Sequence, residues 1–328
     1  MGKDGLDEVM DQGDEFAKGG KFQEAEAEYR RAIKIDKKYA HAWFNLAGVL
    51  VVQGRIDDAV SAYETCLNLD KKNGVYWGNY ATLLKHLGKS RKAEKAFSEA
   101  AKCKPDHPVV WFNLANFNRE QRHYVEAVSN YKKAISMMPE NANYWNNLGF
   151  TYEALRDWPS AEEAFSKTIE LDSSLSGAWR ELGALRATRG ELETAFQAMT
   201  RCAELNPHDA TNWGNRAKCA INLGNLQDCF DSYQKVVDIN PGHLDGWIGL
   251  GAIYFTWGNL TYAQNSIERA LQINPNDVRA GKIREDISAI LIKSMKNGLT
   301  LIRDSSGIRS YLKDENGDTT KYYLVDED

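Results

Sequence analysis

Tryptophan recurs every 34 residues through most of this chain. Trp43, Trp77, Trp111, Trp145, Trp179, Trp213 and Trp247 fall in one register with no insertion or deletion between them. Each opens a similar stretch, from WFNLAGVL at Trp43 to WIGLGAIY at Trp247. A fixed period of this length overrides the usual division of a 328-residue chain into two domains. It requires an array in which each unit packs on the one before it. With tryptophan as the fourth position, eight repeats span 6–39, 40–73, 74–107, 108–141, 142–175, 176–209, 210–243 and 244–277.

Within a repeat the pattern reads as two helices. Positions 4, 8 and 11 share one helical face, and position 7 is usually leucine (Leu46, Leu114, Leu148, Leu182, Leu250). Gly20, Gly54, Gly88, Gly190, Gly224 and Gly258 stop the first helix at position 15, where a positive φ is the common terminator. Arg122, and Arg156 with Asp157, break that habit, so different turns are expected in repeats four and five. The second helix carries a small residue at position 20 and a large one at 24, such as Tyr29, Tyr63, Phe97, Tyr131 and Phe165. Proline at position 32 (Pro105, Pro139, Pro207, Pro241, Pro275) keeps it from fusing with the next helix. Small residues at 8 and 20 let the two helices approach, and tryptophan is expected to fill the gap between neighbours. The fold class is all-α, a solenoid of helix hairpins.

These residues resemble the tetratricopeptide repeat pattern, W-x2-L-G-x2-Y followed by A, F/Y, A and P, over residues 6–277. The resemblance implies a right-handed superhelix whose first helices line a concave groove and whose second helices cover the back. It also implies protein or peptide binding. Repeat one departs from the pattern at Val9 and Gln12, as suits a terminal cap.

After the repeats, residues 278–296 place Ile283, Ile287, Ile290, Leu291 and Met295 along one stripe, a capping helix. Ala289 and Ile292 make its other side more apolar than a cap requires. In the tail, 297–328, segments 308–314 and 319–325 flank Asn316-Gly317, a hairpin signal. A lone hairpin is marginal in water, so the acidic tail is either docked or disordered.

Composition excludes several function classes. A net charge of −5 without a clustered basic surface gives no reason to expect a nucleic-acid partner. No apolar run reaches membrane-spanning length, and the N-terminal segment carries acids and no signal-peptide core. Five cysteines, with no CxxC pair, stand mostly where other repeats have alanine. They read as small core residues of a reducing, cytoplasmic protein. The histidines show no metal-ligand spacing, and no phosphate loop, GxSxG or HExxH occurs. No metal, cofactor or enzymatic activity is expected.

The candidate site lies on the first helices. Position 6, roughly opposite 4, 8 and 11, is asparagine in five repeats: Asn45, Asn79, Asn113, Asn147 and Asn215. Asparagine disfavours a helix interior by ~0.5 kcal/mol against alanine. Its carboxamide, however, pairs with a peptide's main-chain N–H and C=O whatever the side chains. The rest of that stripe is nearly neutral and offers Asn116 and Phe150, with Phe44 and Phe112 beside it at position 5. In this respect the chain is similar to the repeat domain of the O-linked N-acetylglucosamine transferases, whose lumen carries an asparagine ladder, although no catalytic domain follows here. Glu181 and Gly249 interrupt the ladder, which centres it on repeats two to five.

The family's carboxylate clamp is absent, since Phe112, Gly177 and Glu181 stand where its three cations belong. The expected function is a non-enzymatic adaptor gripping an extended peptide. The alternative is a structural subunit that self-associates, or joins a larger complex, through the last helix and tail. Repeat three is basic and repeat five acidic, mostly on the back of the array.

Overall fold

The structure, a computed structural model, describes residues 3–103, 106–296, 300–303, 310–313 and 319–320. The chain divides into two compact units, Met1–Leu171 and Asp172–Asp328. The first contains α1 (Lys3–Lys18), α2 (Phe22–Ile35), α3 (Ala40–Val52), α4 (Ile56–Leu69) and α5 (Gly74–His86). It continues with α6 (Ser90–Lys102), α7 (Pro108–Glu120), α8 (Tyr124–Met137), α9 (Ala142–Ala154) and α10 (Trp158–Leu171). The second contains α11 (Ser176–Thr188), α12 (Leu192–Leu205), α13 (Ala210–Asn222), α14 (Leu226–Ile239), α15 (Leu244–Thr256), α16 (Leu260–Ile273) and α17 (Val278–Lys296). Odd and even helices pair as antiparallel hairpins, an all-helical repeat array closed by α17.

Small residues explain how closely the helices of a pair approach. A Cβ on Gly149 would stand 2.7 Å from the Phe165 ring, position 8 against position 24 of one repeat. Alanines at position 20 are fully buried in the same seam. The periodic tryptophan does more than fill a gap. At Trp43, Trp77, Trp145, Trp179, Trp213 and Trp247 the indole Nε1 donates to the carbonyl six residues earlier, as Trp43 does to Lys37 (3.1 Å) and Trp145 to Pro139 (2.8 Å). The ring therefore satisfies a turn carbonyl while its body packs, which accounts for tryptophan where another large apolar residue would only fill space.

The turns of repeats four and five do not differ as expected. Arg122 (φ 62°) and Arg156 (φ 60°) adopt the same left-handed conformation as the glycines. They keep the same closing bonds, with His123 N donating to Asn118 O (2.8 Å) and Asp157 N to Tyr152 O (2.9 Å). The hairpin geometry overrides the local preference of arginine, at a cost of about 1 kcal/mol each.

In the second unit, position 7 of repeat seven is Arg216 and not leucine. Its guanidinium donates to Thr200 Oγ1 (3.0 Å), Ser232 Oγ (2.6 Å), and both Oδ1 (2.5 Å) and the main-chain carbonyl (3.2 Å) of Asp228. It also stacks on Phe196, 4.7 Å from the ring centre. Only 12% of the side chain is exposed, so the charge is held by this set of acceptors and the aromatic face.

On α17, Ile287 is buried and Ile283, Ile290 and Leu291 pack against Leu260 and Ala263 of α16, whereas Ile292 is 54% exposed. Beyond it, β1 (Thr300–Arg303) pairs antiparallel with β2 (Ser310–Lys313), and β2 with β3 (Thr319–Thr320). The residue pattern alone marks no strand at β1. The Asn316-Gly317 turn lies outside the described residues.

Candidate peptide-binding face

Position 6 of the odd-numbered helices carries the asparagines, and the structure holds them in different ways. Asn79 on α5 and Asn147 on α9 share one arrangement. Each Nδ2 donates to the carbonyl four residues earlier, Val75 O at 2.9 Å and Asn143 O at 2.8 Å. That bond fixes the carboxamide on its own helix, while Oδ1 and the second amide hydrogen meet no partner among the described residues. Asn79 is exposed and Asn147 half-buried. Asn113 on α7 and Asn215 on α13 are half-buried, with no side-chain hydrogen bond among the described residues.

Asn45 and Asn116 are engaged within the chain. Asn45 Nδ2 donates to Asp14 Oδ1 (2.8 Å), and the same oxygen accepts the Tyr29 hydroxyl (2.7 Å). Asp14 is position 9 of repeat one and Asn45 position 6 of repeat two, so these positions lie within bonding reach in consecutive repeats. Asn116 and Asn147 hold the equivalent places in repeats four and five, where the Tyr131 hydroxyl donates to Asn116 Oδ1 (2.5 Å). Burial, reinforced by the Asp14 carboxylate, pushes the Tyr29 hydroxyl well above its ordinary value, and burial raises Tyr131 too. Both stay protonated donors.

The phenylalanines expected beside the groove are half-buried and pack against neighbouring rings. Phe44 lies 4.8 Å from the Tyr76 ring and 6.0 Å from Tyr63. Phe112 repeats the arrangement with Tyr144 (4.7 Å) and Tyr131 (5.8 Å). Position 5 therefore bridges position 24 of its own repeat and position 3 of the next. Phe150 meets the Phe165 ring edge-on at 5.2 Å.

Two glycines mark features that counting asparagines misses. At Gly249, position 6 of repeat eight, the Tyr233 ring occupies the place a Cβ would take, so no ladder side chain fits there. At Gly48, position 9 of repeat two and mid-α3, nothing lies within 4 Å of a Cβ. Glycine inside a helix is disfavoured by about 0.8–1 kcal/mol against alanine. Packing does not require it, so it leaves an open floor at the place adjoining Asn79. Charge on this face is sparse and partly paired, as in Lys85–Glu120 (2.6 Å) and Arg180–Glu181 (2.9 Å).

Among the described residues no group of His, Cys, Asp or Glu could hold a metal ion, and no helix is long and apolar enough to cross a membrane. All five cysteines are free thiols, four of them buried.

An array of helix hairpins with a glycine-type turn in each repeat and a tryptophan in every repeat after the first defines a helical repeat scaffold. The chain belongs to the tetratricopeptide repeat family, which matches residues 10–70, 81–142 and 119–176 in one form and 210–243 and 244–277 in another. No curated protein sequence matches it. Among solved structures it is similar to the C-terminal part of a TPR repeat-containing protein from Cytophaga hutchinsonii, over 73% of this chain and 98% of that one (TM-score 0.62, 15% identity). It is similar to pilF of Pseudomonas aeruginosa over 64% and 96% (0.53, 19%). It is also similar to YrrB, described as a TPR protein with an unusual peptide-binding site, over 58% and 99% (0.52, 21%). At these identities the likeness is one of fold. Proteins of this family generally mediate protein–protein interactions, and the narrower likeness to glycosyltransferase repeat domains is not among these findings.

Proposed function

We propose that the chain is a non-enzymatic adaptor that holds an extended segment of another protein along the faces of α5, α7 and α9. The observation that carries this reading is the shared state of Asn79 and Asn147, each pinned to its own helix with its carbonyl oxygen and one N–H left over. A carboxamide fixed in this way has little rotamer freedom left to lose on binding. Asn113 stands between the two in the series, and Gly48 clears the approach to Asn79. Asn45, already bonded to Asp14, closes the ladder at the N-terminal side, and Asn215 is a separate element in the second unit. The peptide-binding site described for YrrB agrees with this use of the fold. The adaptor works inside the cell, where its five thiols stay reduced.

A structural subunit is the competing reading, favoured by the exposed Ile292 and Val278 on α17. Replacing Asn79, Asn113 and Asn147 together with alanine separates the two. The adaptor reading expects captured partners to be lost at unchanged mass by light scattering. Retained partners, together with a mass that falls when residues 278–328 are deleted, would establish the subunit instead.

A further inference from the structure

We propose a second docking site, beside Trp77 in repeat three, for an acidic peptide segment that inserts one aromatic or leucine-like side chain. A crevice recurs where positions 4, 7 and 11 of a first helix meet its second helix. Three of these crevices lie beside Trp77, Trp111 and Trp247. The one at Trp77 is the largest of the three, at 630 Å³, within the roughly 300–1,000 Å³ usual for binding pockets. Its floor is Trp77, Tyr80, Leu84 and Ala96.

Two differences set this crevice apart. In repeat four, Lys133 lies 4.1 Å over the Trp111 ring and covers it with the chain's own cation. In repeat three the same position is Glu99, an acid that lines the crevice and pairs with Lys102 (2.6 Å), and no cation lies over Trp77 among the described residues. Trp111 is 6% exposed, whereas Trp77 is only half-buried. The rims also differ. Lys92, Lys95 and Lys102 face the single Glu99 around Trp77, whereas Glu94 and Glu126 outnumber Lys133 around Trp111. Lys92 and Lys95 are exposed and meet no acid among the described residues.

An uncovered indole offers an apolar anchor point, and the unpaired lysines select for carboxylates on either side of the anchor. Repeat five, toward the C-terminal end of the same unit, is acidic, so the basic charge is local to repeat three. This site shares no residue with the asparagine ladder.

The test is fluorescence anisotropy of the full chain with a labelled peptide in which glutamates flank one phenylalanine. Lys92→Glu with Lys95→Glu is expected to weaken binding about tenfold or more, and Lys92→Gln with Lys95→Gln to weaken it less. Binding should fall with added salt, and should fall again when the peptide's phenylalanine is replaced by alanine. Alanine at Asn79, Asn113 and Asn147 should change nothing, which separates this site from the ladder. Binding indifferent to the lysine reversals, or equal for the peptide lacking phenylalanine, would overturn the proposal.

Discussion

Repeats four and seven share one 34-residue frame and fill it with opposite chemistry. Repeat four places Phe112, Asn113 and Leu114 at positions 5 to 7, and its interior is a stack of rings from Phe112 to Tyr131 and Tyr144. Repeat seven places Gly214, Asn215 and Arg216 there, and its interior is a guanidinium held by Asp228, Ser232 and Thr200. The main chain is alike in both, with the same helix lengths and the same tryptophan-to-carbonyl bond in repeat seven as in repeats two, three and five. The period therefore specifies the helices and turns. Positions 5 to 7 and their contacts decide what kind of core joins them.

The contrast breaks most readily at repeat seven. Asp228→Ala leaves the Arg216 charge buried with too few acceptors and should destabilise by about 3 kcal/mol, the low end for a broken buried pair because Asp228 is a third exposed. Arg216→Leu with Asp228→Leu restores the family's usual residue and should come close to neutral or better. Urea unfolding followed by circular dichroism reads both. At repeat four, Phe112→Ala removes a half-buried ring from the stack and should lower stability by about 2–3 kcal/mol, with no rescue from polar substitutions.

The turns supply a smaller effect with the opposite sign. Arg122→Gly and Arg156→Gly relieve a left-handed arginine and should each stabilise by about 1 kcal/mol, against a loss for Gly190→Arg in the second unit. The least effect is on the thiols. Burial pushes Cys66 up to about 12 and Cys229 up to about 11, above the ordinary 9.0. Their neutral forms are favoured in the folded chain, so the unfolded chain ionises first as pH rises through 9. Their contribution to stability should then decline until the folded thiols titrate near 11–12. At pH 8 a thiol reagent should modify half-buried Cys103 first, and the other four only as the chain unfolds.

Much of the fold is legible in the sequence because it repeats. Tryptophan, glycine and proline positions recur often enough to place helices and turns, and small residues at 8 and 20 explain the close helix seam. What stays hidden depends on a single neighbour in space. Nothing in the repeat announces that Asp14 captures Asn45, or that the Tyr233 ring excludes a side chain at Gly249. Phe44 and Phe112 stand next to the ladder in the chain, yet their rings meet tyrosines of the following repeat. Arg122 misleads because its own backbone preference says nothing of the hairpin that constrains it. β1 escapes because four residues carry too little pattern to be read without the strand they pair with.

The ladder proposal rests on recognition of a main chain, and one titration addresses it directly. A peptide selected by display on the intact chain is compared with two derivatives, one N-methylated at alternate residues and one with its side-chain order scrambled. If Asn79, Asn113 and Asn147 hold peptide groups, methylation abolishes binding and scrambling leaves it within a few-fold. Binding that survives methylation but fails on scrambling would mean that side chains are being read, and the ladder would not be the site.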